Sequence, residues 1–199
     1  MRTLLTLVVF TLPVAAADED KDFYPLNVGT KWTYKLAGQE GKFVVTALAE
    51  EKVGEAPCVK FEAKLKDQLV GTEHVAFLNK EFYRFKYGDQ NIEPAICFCK
   101  PGAKKGDTWK VNFKIGETKA SVRYDADYAD IKVPAGEFKN ALVIRAEATE
   151  KVAVDGKETE QITKTTIWFV KGKGMVKQII DLGKAKVDLE LETIDEPKK

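Results

Sequence analysis

"CVKFEAKLKD", Cys58 to Asp67, is the stretch whose reading decides the fold. Val59, Phe61, Ala63 and Leu65 alternate along it with Lys60, Glu62, Lys64 and Lys66. In an extended chain successive side chains point to opposite faces, so this run carries one apolar face and one charged face. Wound as a helix, the same residues would scatter around the axis. The pattern is that of an antiparallel strand with one side on a core and the other in water.

The same signal recurs along the chain. In "TWKVNFKIG", Trp109, Val111, Phe113 and Ile115 oppose Lys110, Asn112 and Lys114; in "ALVIRAEATE", Leu142, Ile144, Ala146 and Ala148 oppose Arg145, Glu147 and Thr149. Val187, Leu189 and Leu191 repeat it near the C-terminus. Between these runs stand turn-forming stretches: "AGQEG" at Ala37–Gly41, "VGEAP" at Val53–Pro57, "KPGAKKGD" at Lys100–Asp107, "VDGK" at Val154–Lys157, "KGKG" at Lys171–Gly174 and "LGK" at Leu182–Lys184. Helix signals are nearly absent, although "PAGEFKNA", Pro134 to Ala141, could hold one turn. The chain therefore reads as an all-β antiparallel meander of about ten to twelve strands. Such strands close into a barrel or a curved half-barrel, with a two-sheet sandwich as the alternative. A barrel of more than about eight strands has interior space that side chains alone need not fill.

Residues 1–17 have the form of a secretory signal peptide. Arg2 is their one charge, "LLTLVVFTL" is too short an apolar run to span a bilayer, and Ala15–Ala17 supplies small residues for cleavage near Ala17. The expectation is a chain exported to the periplasm or beyond, soluble and not an integral membrane protein, with residues 18–199 forming one all-β domain. Loss of Arg2 leaves 31 basic and 31 acidic residues. That balance disfavours a broad electrostatic grip on nucleic acid or on an anionic membrane.

Three cysteines, Cys58, Cys97 and Cys99, would meet an oxidising compartment. Cys97 and Cys99 are two apart and point the same way in a strand, which makes a poor bridge. The disulfide candidate is Cys58 with Cys97 or Cys99, against three free thiols.

Conventional catalytic constellations are thin. His74 is the only histidine and Ser121 the only serine, so a Ser-His-acid triad would need both. The three cysteines with His74 have zinc-ligand chemistry but not the spacing of a zinc knuckle. "KGKGMVK" lacks the phosphate-loop frame, and Asp125, Asp127 and Asp130 in "DADYADIKVP" lack a turn to wrap a calcium ion. No catalytic residue, metal or cofactor is expected. "EFYRFKYG" instead places Tyr83, Phe85 and Tyr87 on one face and Phe82, Arg84 and Lys86 on the other. Tyr83, Phe85 and Tyr87, together with Trp109 and Phe113, are the candidates to line an apolar ligand cavity.

Three segments carry a family resemblance: Trp32-Thr33-Tyr34 in "FYPLNVGTKWTYK", Val133-Pro134-Ala135-Gly136 with Phe138, and Gly172, Gly174, Val176 and Lys177 in "IWFVKGKGMVKQ". In this order they resemble a group of exported bacterial β proteins of unknown function, similar to the families grouped with the lipoprotein-carrier half-barrels of the envelope. The resemblance implies a curved antiparallel sheet whose concave face holds acyl chains, and it transfers no catalytic residue. The helices that cover that face in lipoprotein carriers have no counterpart in this sequence. Gly29-Thr30-Lys31-Trp32 is also similar to the lipocalin Gly-x-Trp, one residue longer, which is an analogy of architecture.

Two functional readings follow. One is a non-enzymatic exported β protein that binds an apolar ligand or an envelope lipid. The other is an envelope interaction module with a filled core, its sheet edges or loops meeting a protein partner. A hydrolase-like enzyme is a distant third.

Overall fold

The computed structural model describes residues 19–38, 40–154, 157–183 and 185–197. The expected signal peptide, residues 1–17, and residues 155 and 156 of the expected Val154–Lys157 turn lie outside them. Among the described residues the chain forms a 3-10 turn, Glu19–Phe23, and twelve strands. The strands are β1 (Lys31–Leu36), β2 (Lys42–Val53), β3 (Ala56–Leu65), β4 (Gln68–Leu78), β5 (Glu81–Tyr87) and β6 (Gln90–Cys99). They continue as β7 (Thr108–Ile115), β8 (Thr118–Val133), β9 (Gly136–Val154), β10 (Lys157–Val170), β11 (Gly174–Asp181) and β12 (Lys186–Asp195).

Each strand pairs antiparallel with its sequence neighbour, and β1 pairs with β12, so the sheet is a closed barrel. Closure leaves every strand with a neighbour on both sides. It also settles the architecture in favour of the barrel over the half-barrel and the sandwich. "PAGEFKNA" holds a turn at Pro134 and Ala135 and then enters β9.

The alternation sorts inside from outside. Phe61 on β3, Val122, Tyr124 and Ala126 on β8, Leu142 and Ile144 on β9, and Leu189 and Leu191 on β12 are buried in one continuous core. The outer wall is charged. Arg145 bridges Asp125 at 3.1 Å and Asp127 at 3.2 Å, Lys164 meets Glu147 at 3.5 Å, and Lys177 meets Asp188 at 3.4 Å and Glu190 at 2.6 Å. Charged residues around the wall do not suit a lipid-facing barrel, whose outer band is apolar. No described helix is long and apolar enough to cross a membrane.

Strictly antiparallel hairpins divide the connectors between two ends. The β1–β2, β3–β4, β5–β6, β7–β8, β9–β10 and β11–β12 turns lie at one end, here the distal end. The segment leading into β1 lies at the other, proximal end, and folds over it. Gly172 N–H donates to Asp22 O at 2.8 Å, and Gly29 N–H to Ala47 O at 2.8 Å. Trp32 Nε1–H adds a bond to Lys173 O at 2.8 Å. Close approach sets the residue at Gly174: its φ is +80°, and a Cβ there would stand 3.2 Å from Pro25 and 3.4 Å from the Trp32 indole nitrogen.

One joint is looser than the rest. Among the described residues β6 and β7 pair only through Ile92 with Ile115 and Glu93 with Lys114, near the distal end. Toward the proximal end the strands part, and Trp109 Nε1–H spans the gap to Cys97 O at 2.9 Å. The indole stacks on Tyr124, ring centroids 5.1 Å apart and 19° from parallel. The Trp109 N–H thus satisfies a carbonyl that the ladder leaves open.

Candidate functional site

The entering segment does more than cover the proximal end. After the 3-10 turn it drives Tyr24 into the barrel, where the ring meets Phe61, Phe82, Phe98 and Phe169 at centroid distances of 5.3 to 6.1 Å. Three of these contacts are edge-on, the arrangement aromatic rings favour. Tyr24 is the floor of a cavity of about 420 Å³. That volume falls within the range of small-molecule sites.

The cavity walls are mostly apolar. Tyr34 from β1, Phe43 and Val45 from β2, Ala63 from β3, Ile167 from β10 and Ile180 from β11 contribute to it. It runs toward the distal end, where two lining residues, Val70 and Tyr87, are 48% and 53% exposed. Leu69 and Leu182, 58% and 46% exposed, belong to the same end. The mouth thus holds two apolar side chains, Val70 and Tyr87, in water.

One polar cluster stands at the floor. Arg84 Nε–H donates to Glu73 Oε2 at 2.5 Å, and Tyr24 O–H donates to Glu73 Oε1 at 3.1 Å. The guanidinium also lies over the Phe98 ring, 5.0 Å from its centroid. Both side chains keep some access to the cavity, 30% for Arg84 and 19% for Glu73. Burial raises the Tyr24 pKa far above the ordinary phenol value and the Glu73 charge adds to it, so the hydroxyl stays protonated and donates. Burial also opposes the Arg84 charge, but the adjacent Glu73 outweighs it and holds the guanidinium charged. The floor is a neutral ion pair. Tyr34 O–H donates separately to Met175 O at 2.9 Å, and burial raises its pKa as well.

Of the ligand-lining residues expected from sequence, the structure places Tyr87 on this cavity. Tyr83 and Phe85 lie off it. The Tyr83 hydroxyl donates to Glu81 at 2.6 Å, beside Cys97 Sγ at 3.3 Å from the same carboxylate. Phe82 and Arg84, on the alternate face of β5, point inward instead. Trp109 packs at the β6–β7 gap, and Phe113 is buried in the core, bordering a separate groove with Glu93 and Lys114. Tyr24, Glu73 and Arg84 were not singled out from sequence. The one available signal was Arg84 alternating with aromatic rings.

Of the two cysteine readings the sequence left open, the structure has the three free thiols: Cys58, Cys97 and Cys99 are unbridged and buried. Cys58 lies on β3 and the other two on β6, with β4 and β5 between. Three strand spacings amount to about 14 Å, twice the reach of a disulfide. Burial pushes the Cys97 thiol up to about 12, with the Glu81 charge adding to it. It is therefore an inert thiol at neutral pH.

His74 Nε2 meets Glu51 at 2.7 Å on the outer face. Ser121 lies on β8, four strands along the sheet from β4 and His74, so the two cannot share a triad. Among the described residues no three His, Cys, Asp or Glu side chains are grouped as metal ligands would be.

Comparison with known proteins points to the same architecture. No protein-family profile matches the chain, and no curated protein sequence does. Two of the solved structures similar to it share its fold. One is a presumed lipoprotein of Parabacteroides distasonis, with TM-score 0.56 and 14% identity over 87% of this chain and 98% of that one. The other is a presumed exported protein with a YmcC-like fold from Bacteroides fragilis, with TM-score 0.55 and 12% identity over 87% of this chain and 99% of that one. At such identities the likeness is one of fold alone.

Proposed function

We propose that this chain is an exported, non-enzymatic barrel that carries an apolar ligand or an envelope lipid in the cavity between Tyr24 and the distal mouth. The observation that supports it is the cavity itself, about 420 Å³, apolar along its walls, with one polar cluster at its floor and exposed apolar residues at its rim. A barrel serving only as an interaction module would gain stability by filling that volume, since each buried methylene contributes about 0.8 kcal/mol. Export rests on the signal-peptide form of residues 1–17 and agrees with the description of the two structural relatives as exported or lipoprotein.

The test is purification of the mature protein from its native envelope, followed by mass spectrometry of extracted lipids and thermal melting with added acyl lipids. A reproducible bound lipid and a raised melting temperature are expected. Absence of any bound lipid, with no thermal shift from fatty acids, acylglycerols or hydrocarbons, would overturn the reading.

A further inference from the structure

The Arg84–Glu73 pair narrows the ligand class, given that the cavity binds an amphiphile as proposed above. Arg84 commits Nε to Glu73 and, among the described residues, leaves Nη1 and Nη2 without a hydrogen-bond partner. Both nitrogens belong to a side chain that lines the cavity. With 30% of the Arg84 side chain open, they are reached from the largely apolar chamber and can donate to acceptor oxygens held there. Glu73 already accepts from Arg84 and Tyr24.

The charge balance decides which oxygens fit. Glu73 cancels the Arg84 charge within hydrogen-bond distance, so an incoming carboxylate or phosphate meets a neutral pair rather than a cation. It would lose its hydration, be attracted to Arg84 and be repelled by Glu73 at similar range. An ester or hydroxyl head loses far less on leaving water and still accepts from the two free Nη groups. We propose that the cavity selects an uncharged, oxygen-bearing amphiphile, of the acylglycerol or acyl-ester class, with its head on Arg84 and its chain along the apolar wall toward the distal mouth. Tyr24 closes the cavity beyond the head, which fixes the head-inward direction.

The test compares monoolein, oleic acid and oleylamine on the purified native protein by displacement of a fluorescent apolar probe. Monoolein is expected to bind tighter than either charged analogue by about tenfold or more. Glu73→Gln keeps the shape and frees the Arg84 charge, so the preference should turn toward oleic acid; circular dichroism of the variant checks its fold. Equal affinity for the three heads, or an unchanged preference in Glu73→Gln, would overturn the head-group assignment while leaving the cavity reading intact. Failure of all three, and of the probe itself, would overturn both.

Discussion

Tyr24 donates its hydroxyl proton to Glu73 across 49 residues of sequence, at 3.1 Å, and so fastens the entering segment to the interior of β4. The bond places the same tyrosine in three roles: proximal stopper, aromatic core and cavity floor.

Tyr24→Ala should therefore destabilise the barrel by about 3 kcal/mol, since it removes a ring from among four others and leaves a void. Tyr24→Phe, which removes only the hydroxyl, should cost about 1 kcal/mol. Chemical denaturation of the three proteins checks the order. Equal stability of Tyr24→Ala and the native chain would mean that the segment does not occupy the barrel.

Gly174 is the second fastening. Gly174→Ala places a methyl group against Pro25 and the Trp32 indole at a φ of +80°, so a loss of about 1–3 kcal/mol is expected. Gly172→Ala has a similar φ, +75°, but open space around the new Cβ. It should cost less, and the difference in denaturation midpoint between the two variants isolates the contact with the entering segment.

Thiol chemistry gives a third test. With Cys58, Cys97 and Cys99 all free and buried, a thiol reagent should react slowly with the native protein and with three equivalents after denaturation without reductant. One equivalent in the denatured protein would reveal a disulfide and contradict the placement of β3 and β6.

Asp127 contributes to the acid dependence of stability. Lys105 at 3.0 Å, the Tyr128 N–H at 2.8 Å and Arg145 at 3.2 Å hold its pKa down to about 2. A folded pKa below the unfolded value of about 3.9 gives a contribution that is present above pH 4 and lost as pH falls toward 2. Denaturation midpoints measured across that window should fall for the native chain and fall less steeply for Asp127→Asn. Parallel slopes would contradict the assignment.

The barrel was legible because water-facing lysines and glutamates alternate with core residues in β3, β7, β9 and β12, and period two admits few other structures. The site was less so, for a physical reason. β5 carries aromatic rings on both faces, so alternation alone does not say which face turns inward. Register shifts between His74 and Val75, between Phe82 and Tyr83, and between Arg84 and Lys86 then re-aim its side chains. The outcome puts Phe82 and Arg84 inside, and Tyr83 and Phe85 away from the cavity. An inward ion pair runs against the binary pattern from which strands are read, so nothing in that pattern marks Glu73 and Arg84. Tyr24 lies ahead of the first strand, where no periodicity marks it. The cysteine pairing stayed open because spacing in sequence says nothing about how many strands stand between two residues in the sheet.

The central claim is an acyl ligand held in the barrel beside Trp32, which lines the cavity. Titration of the mature, delipidated protein with a bromine-labelled monoacylglycerol, read as quenching of tryptophan fluorescence, tests it most directly. Saturable quenching at one equivalent is expected, with loss of that phase in Ala63→Phe, where the new ring occupies the chamber. Quenching that rises without saturation, or that is the same in Ala63→Phe, would contradict it.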